Sequence, residues 1–215
     1  MCQSLFVASF TVMQFAMIVK LEEIATIRAG HPFRGAILET DNGNGYVIQT
    51  RDLADDGQIA WEKLVQTDVS GRKEPEWLKA GDVIFAARGI KNLASAISEE
   101  MLGQLHLPAV CSPHYFQIRI DPSAAMLPEF LAWQLNQLPA QRYFQQSAEG
   151  SMQVSIRRTV LEQTPITIPP LETQRRVLAL SRGVAREEQI YQQLIDLRRA
   201  EMQAIANQVL TGKIE

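Results

Sequence analysis

The last 45 residues of the chain constrain its fold most, because residues 171–215 contain no proline and, before Gly212, only one glycine, Gly183. Side chains in this segment recur at three- and four-residue steps, which is the spacing of one face of a helix. The pattern predicts an amphipathic helix of about 40 residues, roughly 60 Å long. The stripe consists of Val177, Leu180, Val184, Tyr191, Leu194, Arg198, Met202, Ile205 and Val209.

A helix of this length cannot bury its stripe against a domain about half as long, so the stripe predicts a partner helix. A second copy of the chain is the simplest partner, and we therefore expect a homodimer. An alternative is a pair of helices hinged at Gly183 and folded back onto their own domain. The residues expected to contact the partner are Val177, Val184, Tyr191, Leu194, Met202 and Ile205.

The first sixteen residues are largely apolar and carry no charge. A signal peptide needs a basic region ahead of its apolar stretch, and this segment has none. The run is also too short and too often interrupted by polar residues to span a bilayer. We interpret residues 1–17 as an N-terminal extension, either an upstream start or an extra strand or helix, with a cleaved signal as the alternative.

Composition is ordinary for a globular protein, with 46% apolar and 21% charged residues. The chain has two cysteines, Cys2 and Cys111, which makes a disulfide framework improbable and fits a reducing cytoplasm. We expect a cytoplasmic protein without membrane contact. Net charge is −3, and residues 1–170 carry 14 Lys and Arg against 18 Asp and Glu. Any DNA contact must therefore come from local basic clusters.

Between residues 18 and 170 the pattern predicts a compact α+β domain (mixed α/β) with a mixed sheet, which the long C-terminal helix follows. A helix is expected at 20–30, because Leu21, Ile24, Ala25 and Ile27 share a helical face and Gly30 follows as a stop. A second helical stretch covers 128–148, a short helix covers 155–162, and the proline-rich segment 165–170 must be extended. The predicted strands are 46–48, 58–65, 83–87, 94–98 and 115–120.

No catalytic or metal-binding constellation is recognisable in the sequence. The three histidines share no metal-ligand spacing, and the single C-x-x-H at Cys111–His114 lacks a second pair of ligands. Nucleotide-binding glycine loops and a nucleophile elbow are both missing. We therefore expect a protein that is not an enzyme and that holds no cofactor or metal of its own.

Small basic islands in predicted turns are the remaining candidates for function. Arginine can bind the two major-groove acceptors of guanine, and asparagine can do the same with adenine, so we interpret these islands as DNA contacts. The segment Arg88–Asn92 is the best of them, since it follows a predicted buried strand. For each island alone, an ordinary solvated charge is the alternative. The candidates are Arg34, Arg51, Arg72, Lys73, Arg88, Lys91, Asn92 and Arg157.

Three segments resemble a known family. LKAGDVIFAARG at 78–89 is similar to the "L-K-x-G-D-I-L-x-x-R-x-G" segment of target recognition domains in specificity subunits of type I restriction–modification systems. EGSMQVSIRRTVLEQTPITIPPLETQRR at 149–176 resembles the end of such a domain and the start of its spacer helix. LEEIATIRAG at 21–30 resembles the opening of such a domain.

The resemblance implies a target recognition domain at 18–170 and a spacer or dimerisation helix at 171–215. It also implies that the domain reads half of a split site in double-stranded DNA, while the helix docks modification subunits that hold S-adenosylmethionine and methylate adenine. Family members carry two such domains and two helices, and this sequence has one of each. The sequence is thus either a half-sized subunit that pairs with itself or a fragment or degenerate relative. The rival interpretation is a protein-interaction module that dimerises through its C-terminal helix.

Overall fold

The computed structural model describes residues 17–54, 57–71, 74–89, 91–147 and 154–211. These residues form an α+β fold with mixed sheets and a long C-terminal helix, as the sequence predicts. The chain divides into two compact units, Met1–Gln174 and Arg175–Glu215. The predicted N-terminal extension lies outside the described residues except for Met17, which begins the first strand.

The first unit contains eleven described strands in four sheets. In chain order the strands are β1 (Met17–Lys20), β2 (Ala25–Ala29), β3 (Gly45–Ile48), β4 (Val65–Thr67), β5 (Asp82–Ala86), β6 (Arg88–Gly89), β7 (Ala94–Ala96), β8 (Ala109–Cys111), β9 (Tyr115–Ile120), β10 (Val154–Ser155) and β11 (Pro165–Ile168). A four-stranded antiparallel sheet has the order β2-β9-β5-β7, and a three-stranded mixed sheet has the order β4-β3-β8. Two antiparallel pairs, β1-β11 and β6-β10, complete the set.

The described residues also form five α-helices. They are α1 (Glu99–Gly103), α2 (Pro128–Asn136), α3 (Leu138–Ser147), α4 (Arg158–Glu162) and α5 (Leu171–Leu210). The predicted helix at 128–148 is divided in two, because Gln137 has an extended backbone with ψ of 156°. Pro139 accounts for the break, since proline has no amide hydrogen to bond the Leu135 carbonyl in a continuous helix and its ring would clash with that carbonyl.

The helix expected at 20–30 is wrong. That segment forms the end of β1, a short 3-10 helix at Leu21–Glu23, and then β2. Strand β2 pairs along its length with β9, and this pairing decides the structure of a stretch whose local pattern fits a helix equally well. Gly30 is not a helix stop, because a Cβ atom there would lie 2.1 Å from the carbonyl oxygen of Ser112. Glycine is needed at this position for the close approach of two backbones.

The strand predicted at 58–65 is also wrong, since Trp61–Lys63 forms a 3-10 helix and the strand begins at Val65. The other four predicted strands are present with small shifts at their ends. All five residues of β5 are buried, which makes this strand the centre of the domain. One core cluster joins Ile84 of β5 to Ile48, Trp61 and Tyr115.

The turn before β5 explains the first family-like segment. The Asp82 carboxylate is buried, accepts a hydrogen bond from the Lys79 amide at 2.8 Å, and binds the Arg119 guanidinium at 2.8 and 2.9 Å. The Gln117 amide donates to the same carboxylate at 2.7 Å. Gly81 has a φ of 89°, a conformation that favours glycine. This part of the family-like segment therefore stabilises the turn at the start of β5, and β5 leads directly into the loop that follows it.

The helix after residue 170 begins at Leu171, as the proline pair predicts, and continues without a break through Gly183. The alternative of two helices hinged at Gly183 is therefore wrong. The Gln174 side chain is fully buried and bonds backbone groups that precede the helix. Its amide nitrogen donates to Ala125 O at 2.7 Å and to Pro169 O at 2.8 Å, and its oxygen accepts from the Leu127 amide at 2.9 Å.

Candidate functional site

The loop that connects β5 to β7 carries two of the predicted DNA-contacting cations. The Ala86 amide of β5 donates to Leu93 O at 2.8 Å, so residues 87–89 and 91–93 belong to a loop that follows the end of a buried strand. The Arg88 and Lys91 side chains in this loop are exposed. Gly89 between them has a φ of 141°, which side-chain-bearing residues rarely adopt. The turn that presents the two cations thus depends on glycine.

A second segment faces this loop. After β3 the chain forms a 3-10 helix at Thr50–Asp52, in which Arg51 is exposed and Asp52 is buried. An Asp52 carboxylate oxygen accepts from the Gln49 amide at 2.8 Å, which closes the turn, and the other lies 3.8 Å from Arg51 Nε. Burial raises the pKa of Asp52, and the Gln49 hydrogen bond and the Arg51 charge counteract part of that rise. The Arg51 side chain is therefore exposed, while the neighbouring Asp52 carboxylate, which closes the turn, is buried.

A cleft of about 310 Å³ lies between these two segments and brings three predicted site residues together. Its rim holds three cations and its remaining lining is mostly small or apolar. None of the described residues that line it is acidic. The lining residues are Thr50, Arg51, Leu53, Ala54, Ala86, Arg88, Gly89, Lys91 and Leu93.

A third segment lies beside the loop after β5 through strand pairing. In the β6-β10 pair, Ser155 lies opposite Arg88, and the Ile156 amide donates to Ala87 O at 2.9 Å. Arg157 follows two residues after Ser155, is exposed, and precedes the first residue of α4. The pairing thus places the segment that carries Arg157 beside the loop that carries Arg88.

Arg34 is not part of this cluster. It lines a separate surface cavity of about 700 Å³ together with the acidic residues Glu39 and Asp68. Two acids beside one arginine make that cavity a poorer match for a phosphate backbone than the cleft is. Arg72 and Lys73 lie outside the described residues.

The structure contradicts the prediction that Asn92 contacts a DNA base. Its side chain is only 6% exposed, and its amide nitrogen donates to Ala86 O at 2.8 Å. A group that is buried and already bonded to the backbone cannot reach a DNA groove. Asn92 is therefore not a DNA contact, and its side chain stabilises the loop instead.

The structure offers no metal centre within the described residues. Cys111 is buried, and burial raises the pKa of its thiol to about 12, so this sulfur stays protonated and unreactive near neutral pH. His114, which shares the C-x-x-H pattern, is exposed, and its backbone oxygen accepts from the Ala87 amide at 2.9 Å. The C-x-x-H segment thus supports the loop after β5.

Helix α5 presents apolar side chains to solvent along most of its length. Of the six residues predicted to contact a partner, Val177 is half-buried and the other five are between 44% and 63% exposed. These five are Val184, Tyr191, Leu194, Met202 and Ile205. Among the described helices, none combines the length and apolar character that crossing a membrane requires.

The sequence analysis did not identify some residues that line the cleft, nor the residue of α3 that supports its loop. Thr50 and Leu53 line it, and the Gln141 side chain of α3 donates to Asn92 O at 2.8 Å from below the loop. Nothing in the local sequence around Gln141 marks this role, because its partner lies 49 positions earlier in the chain. Thr50 could have been included by its position next to Arg51.

Residues 15–194 match the family model described as "Type I restriction modification DNA specificity domain". Among solved structures, the HsdS subunit of Thermoanaerobacter tengcongensis is 21% identical, with a TM-score of 0.52 over 86% of this chain and 39% of that one. The type I restriction–modification S subunit of M. genitalium is 11% identical, with a TM-score of 0.53 over 85% of this chain and 42% of that one.

A third structure, from work on complex assembly and conformational transition of a type I restriction–modification system, is 19% identical. Its TM-score is 0.53 over 89% of this chain and 42% of that one. At these identities the three structures show that the fold is shared. The chain spans about two fifths of the length of each of them. No curated protein matches this chain.

Proposed function

Because the chain belongs to the type I restriction–modification DNA specificity domain family, we propose that it recognises a sequence in double-stranded DNA. In this proposal it is the non-catalytic specificity element of a methyltransferase complex in the cytoplasm. The cleft between the 3-10 helix at Thr50–Asp52 and the loop after β5 is the contact surface. Arg51, Arg88 and Lys91 are its principal cations, and Arg157 extends it.

The observation that carries the proposal is the convergence of these cations from separate segments of an otherwise acidic domain. Residues 1–170 have an excess of four negative charges, yet the described lining of this cleft has three positive charges and no acid. Such a local reversal of sign attracts phosphates where the overall charge does not. Arg88 and Arg51 can also form paired hydrogen bonds with guanine, which is how arginine contributes sequence preference.

We further propose that the domain reads one half-site and that α5 docks modification subunits. The apolar side chains exposed on α5 supply a contact surface for a partner helix. A straight helix of 40 residues is about 60 Å long, which corresponds to at most about 18 base pairs of DNA. A rigid rod of that size is suited to fix the separation between two half-sites. S-adenosylmethionine would be held by the modification subunit.

A homodimer is part of this proposal. The chain spans about two fifths of the length of the related S subunits, and a pair of copies would bring together two domains and two helices. Pairing of the α5 stripes would remove exposed apolar surface from water, which favours association.

The rival function is a protein-interaction module that does not bind DNA. The cavity around Arg34 favours it, since that cavity combines exposed Leu38 with the acidic side chains of Glu39 and Asp68. The acidic balance of residues 1–170 favours it too.

Fluorescence anisotropy with a labelled random-sequence duplex, titrated at several salt concentrations, separates the two functions. We expect binding at low salt that weakens steeply as salt is added. Arg88→Ala, Lys91→Ala and Arg51→Ala should each weaken binding. The salt slope is the steepness with which the logarithm of the affinity falls as the logarithm of the salt concentration rises. A variant that loses a phosphate contact should have a salt slope lower by about one unit. A variant that loses a paired contact to a base should lose about 1–3 kcal/mol of binding free energy on a duplex of the preferred sequence.

Lys79→Ala is the matched control, because it also removes one exposed positive charge but lies in the turn at the opposite end of β5. It should bind as the wild type does. Equal weakening by all four variants would indicate a nonspecific effect of charge, and no binding at low salt by the folded wild type would favour the protein-interaction module.

A further inference from the structure

The loop that presents Arg88 and Lys91 is held by amide side chains. Asn92 donates from its side chain to Ala86 O at 2.8 Å, directly across the base of the loop. The backbone oxygen of the same Asn92 accepts a hydrogen bond from Gln141 Nε2 at 2.8 Å. Asn92 is therefore fixed at two points, and it immediately follows Lys91 in the chain.

Gln141 connects this loop to the helices behind it. Its side-chain nitrogen donates to Asn92 O and also to Leu135 O, both at 2.8 Å, so its two amide hydrogens are both used. Leu135 lies in α2 and Gln141 in α3, and α3 is anchored in the core by the Phe144 ring, which lies 4.9 Å from the Phe85 ring of β5. The Gln141 side chain thus connects the end of the loop to α2 and α3, in addition to the backbone bonds that Ala87 makes with His114 and Ile156.

A positioned cation is worth more in binding than a mobile one, because binding then costs less conformational entropy. A lysine side chain already loses much rotational freedom when it contacts a phosphate. If the backbone beneath it were also mobile, the contact would form less often. The Gln141–Asn92 pair lies where it can prevent that loss.

We propose that Gln141, acting through Asn92, is a positioning residue for DNA binding at the cleft. It holds the backbone of Asn92, next to Lys91, in the conformation that directs Lys91 and Arg88 toward the bound duplex. This inference rests on the proposed DNA-binding function and adds to it a residue of α3 that does not line the cleft.

The test is a double-mutant cycle in duplex binding, read as the dependence of affinity on salt. Gln141→Leu removes both donors at similar size, and Gln141→Met is the second variant should the leucine variant not fold. Gln145→Leu makes the same change at an exposed position of the same helix and serves as the control. Thermal unfolding of each variant sets an assay temperature at which all are folded.

We expect Gln141→Leu to lower the salt slope by about one unit, as Lys91→Ala does, and we expect the combination of the two to lower it no further. Gln145→Leu should leave the slope unchanged. Combination with Arg51→Ala, on the other side of the cleft, should be additive.

A wild-type salt slope in Gln141→Leu would overturn the proposal, and so would additive effects of Gln141→Leu and Lys91→Ala. If Lys91→Ala and Arg88→Ala themselves bind DNA as the wild type does, the proposed DNA interface is contradicted, and the proposed role of Gln141 is contradicted with it. That outcome is distinct from a failure of Gln141 alone, in which Lys91→Ala still weakens binding.

Discussion

The two units of the chain use polar side chains in opposite ways. In the first unit buried polar groups satisfy the backbone: Asp82 closes the turn before β5, and Gln174 bonds three backbone groups around residues 125–169. In the second unit the polar contacts are exposed pairs between neighbouring helical turns, such as Arg198 with Glu201 and Gln192 with Asp196.

Apolar side chains show the same contrast. The core of the first unit contains fully buried Phe85, Ile84 and Tyr115, whereas Leu194 and Met202 of α5 are at least half exposed. An isolated helix draws little stability from its backbone alone, and in proteins most helical stability comes from a buried face. The described residues of the first unit thus include a buried core, and the exposed apolar side chains of α5 support the proposal that this helix contacts a partner.

The largest expected effect is in the first unit. Asp82→Ala leaves the Gln117 amide and part of the Arg119 guanidinium without their buried acceptor. We expect the free energy of unfolding to fall by about 3 kcal/mol, measured by urea denaturation. The control, Glu201→Ala, breaks an exposed pair in α5 and should cost less than about 0.5 kcal/mol. Equal costs for the two would remove the contrast between the units.

Gln174→Ala should have the next largest effect. It leaves the Leu127 amide and the Ala125 and Pro169 oxygens without their present partner. We expect a loss of about 2 kcal/mol in the same measurement, since an unsatisfied buried group costs about 1–3 kcal/mol. Gln203→Ala is the matched change on the exposed surface of α5 and should stay within about 0.5 kcal/mol. A loss below that limit for Gln174→Ala would mean that this junction is not a structural anchor.

The third prediction concerns self-association through α5. A charge on the apolar stripe, introduced as Leu194→Glu, should raise the dimer Kd at least tenfold, or about 1.4 kcal/mol. Light scattering over a concentration series gives the Kd, and the melting of the first unit should not change. Gln203→Glu adds the same charge at a position outside the predicted stripe and is the control. A wild-type chain that stays monomeric at tens of micromolar contradicts the homodimer, unless a modification subunit supplies the missing surface.

The smallest effect depends on pH. Burial raises the pKa of Asp52 in the folded protein above its ordinary value of 3.8, so the protonated form is the one the fold favours. The associated stability is present below that ordinary value and is lost as pH rises through the folded pKa. Asp52→Asn should therefore gain in stability relative to the wild type as pH increases through this window.

Asp121 provides a control of opposite sign. The amide and hydroxyl of Ser123 donate to its carboxylate and lower its pKa. The stability that Asp121 contributes is present above its ordinary pKa and is lost as pH falls through the lowered pKa. Asp121→Asn should therefore lose in stability relative to the wild type as pH rises through this window. Parallel pH trends for the two variants would contradict the buried environment of Asp52.

Local features of the sequence predicted the parts of the fold that depend on neighbouring residues. The continuous apolar run at 83–87 forms β5 with a shift of one residue, and the prolines at 169 and 170 place the start of α5 at Leu171. The segment at 20–30 was predicted wrongly because its structure depends on pairing with residues 116–120, almost a hundred positions away. A local pattern contains no information on such a partner.

The candidate site divides in the same way. The sequence identified Arg51 and Arg88 as basic residues in turns, but only the fold places them around one cleft. Asn92 looked like a base contact because asparagine in a basic loop often is one, and its burial follows from the position of Ala86 across the loop. Burial of a polar side chain is a tertiary property, and the residue type alone does not reveal it.

The most direct test of DNA recognition by this chain is to map methylated sites in DNA treated with the modification subunit, with and without the chain. We predict methylation at one defined sequence only when the chain is present, and a relaxed preference at one position of that sequence with Arg88→Ala. The control variant Lys79→Ala should reproduce the wild-type pattern. An identical methylation pattern with and without the chain would contradict the central claim that this protein supplies sequence specificity.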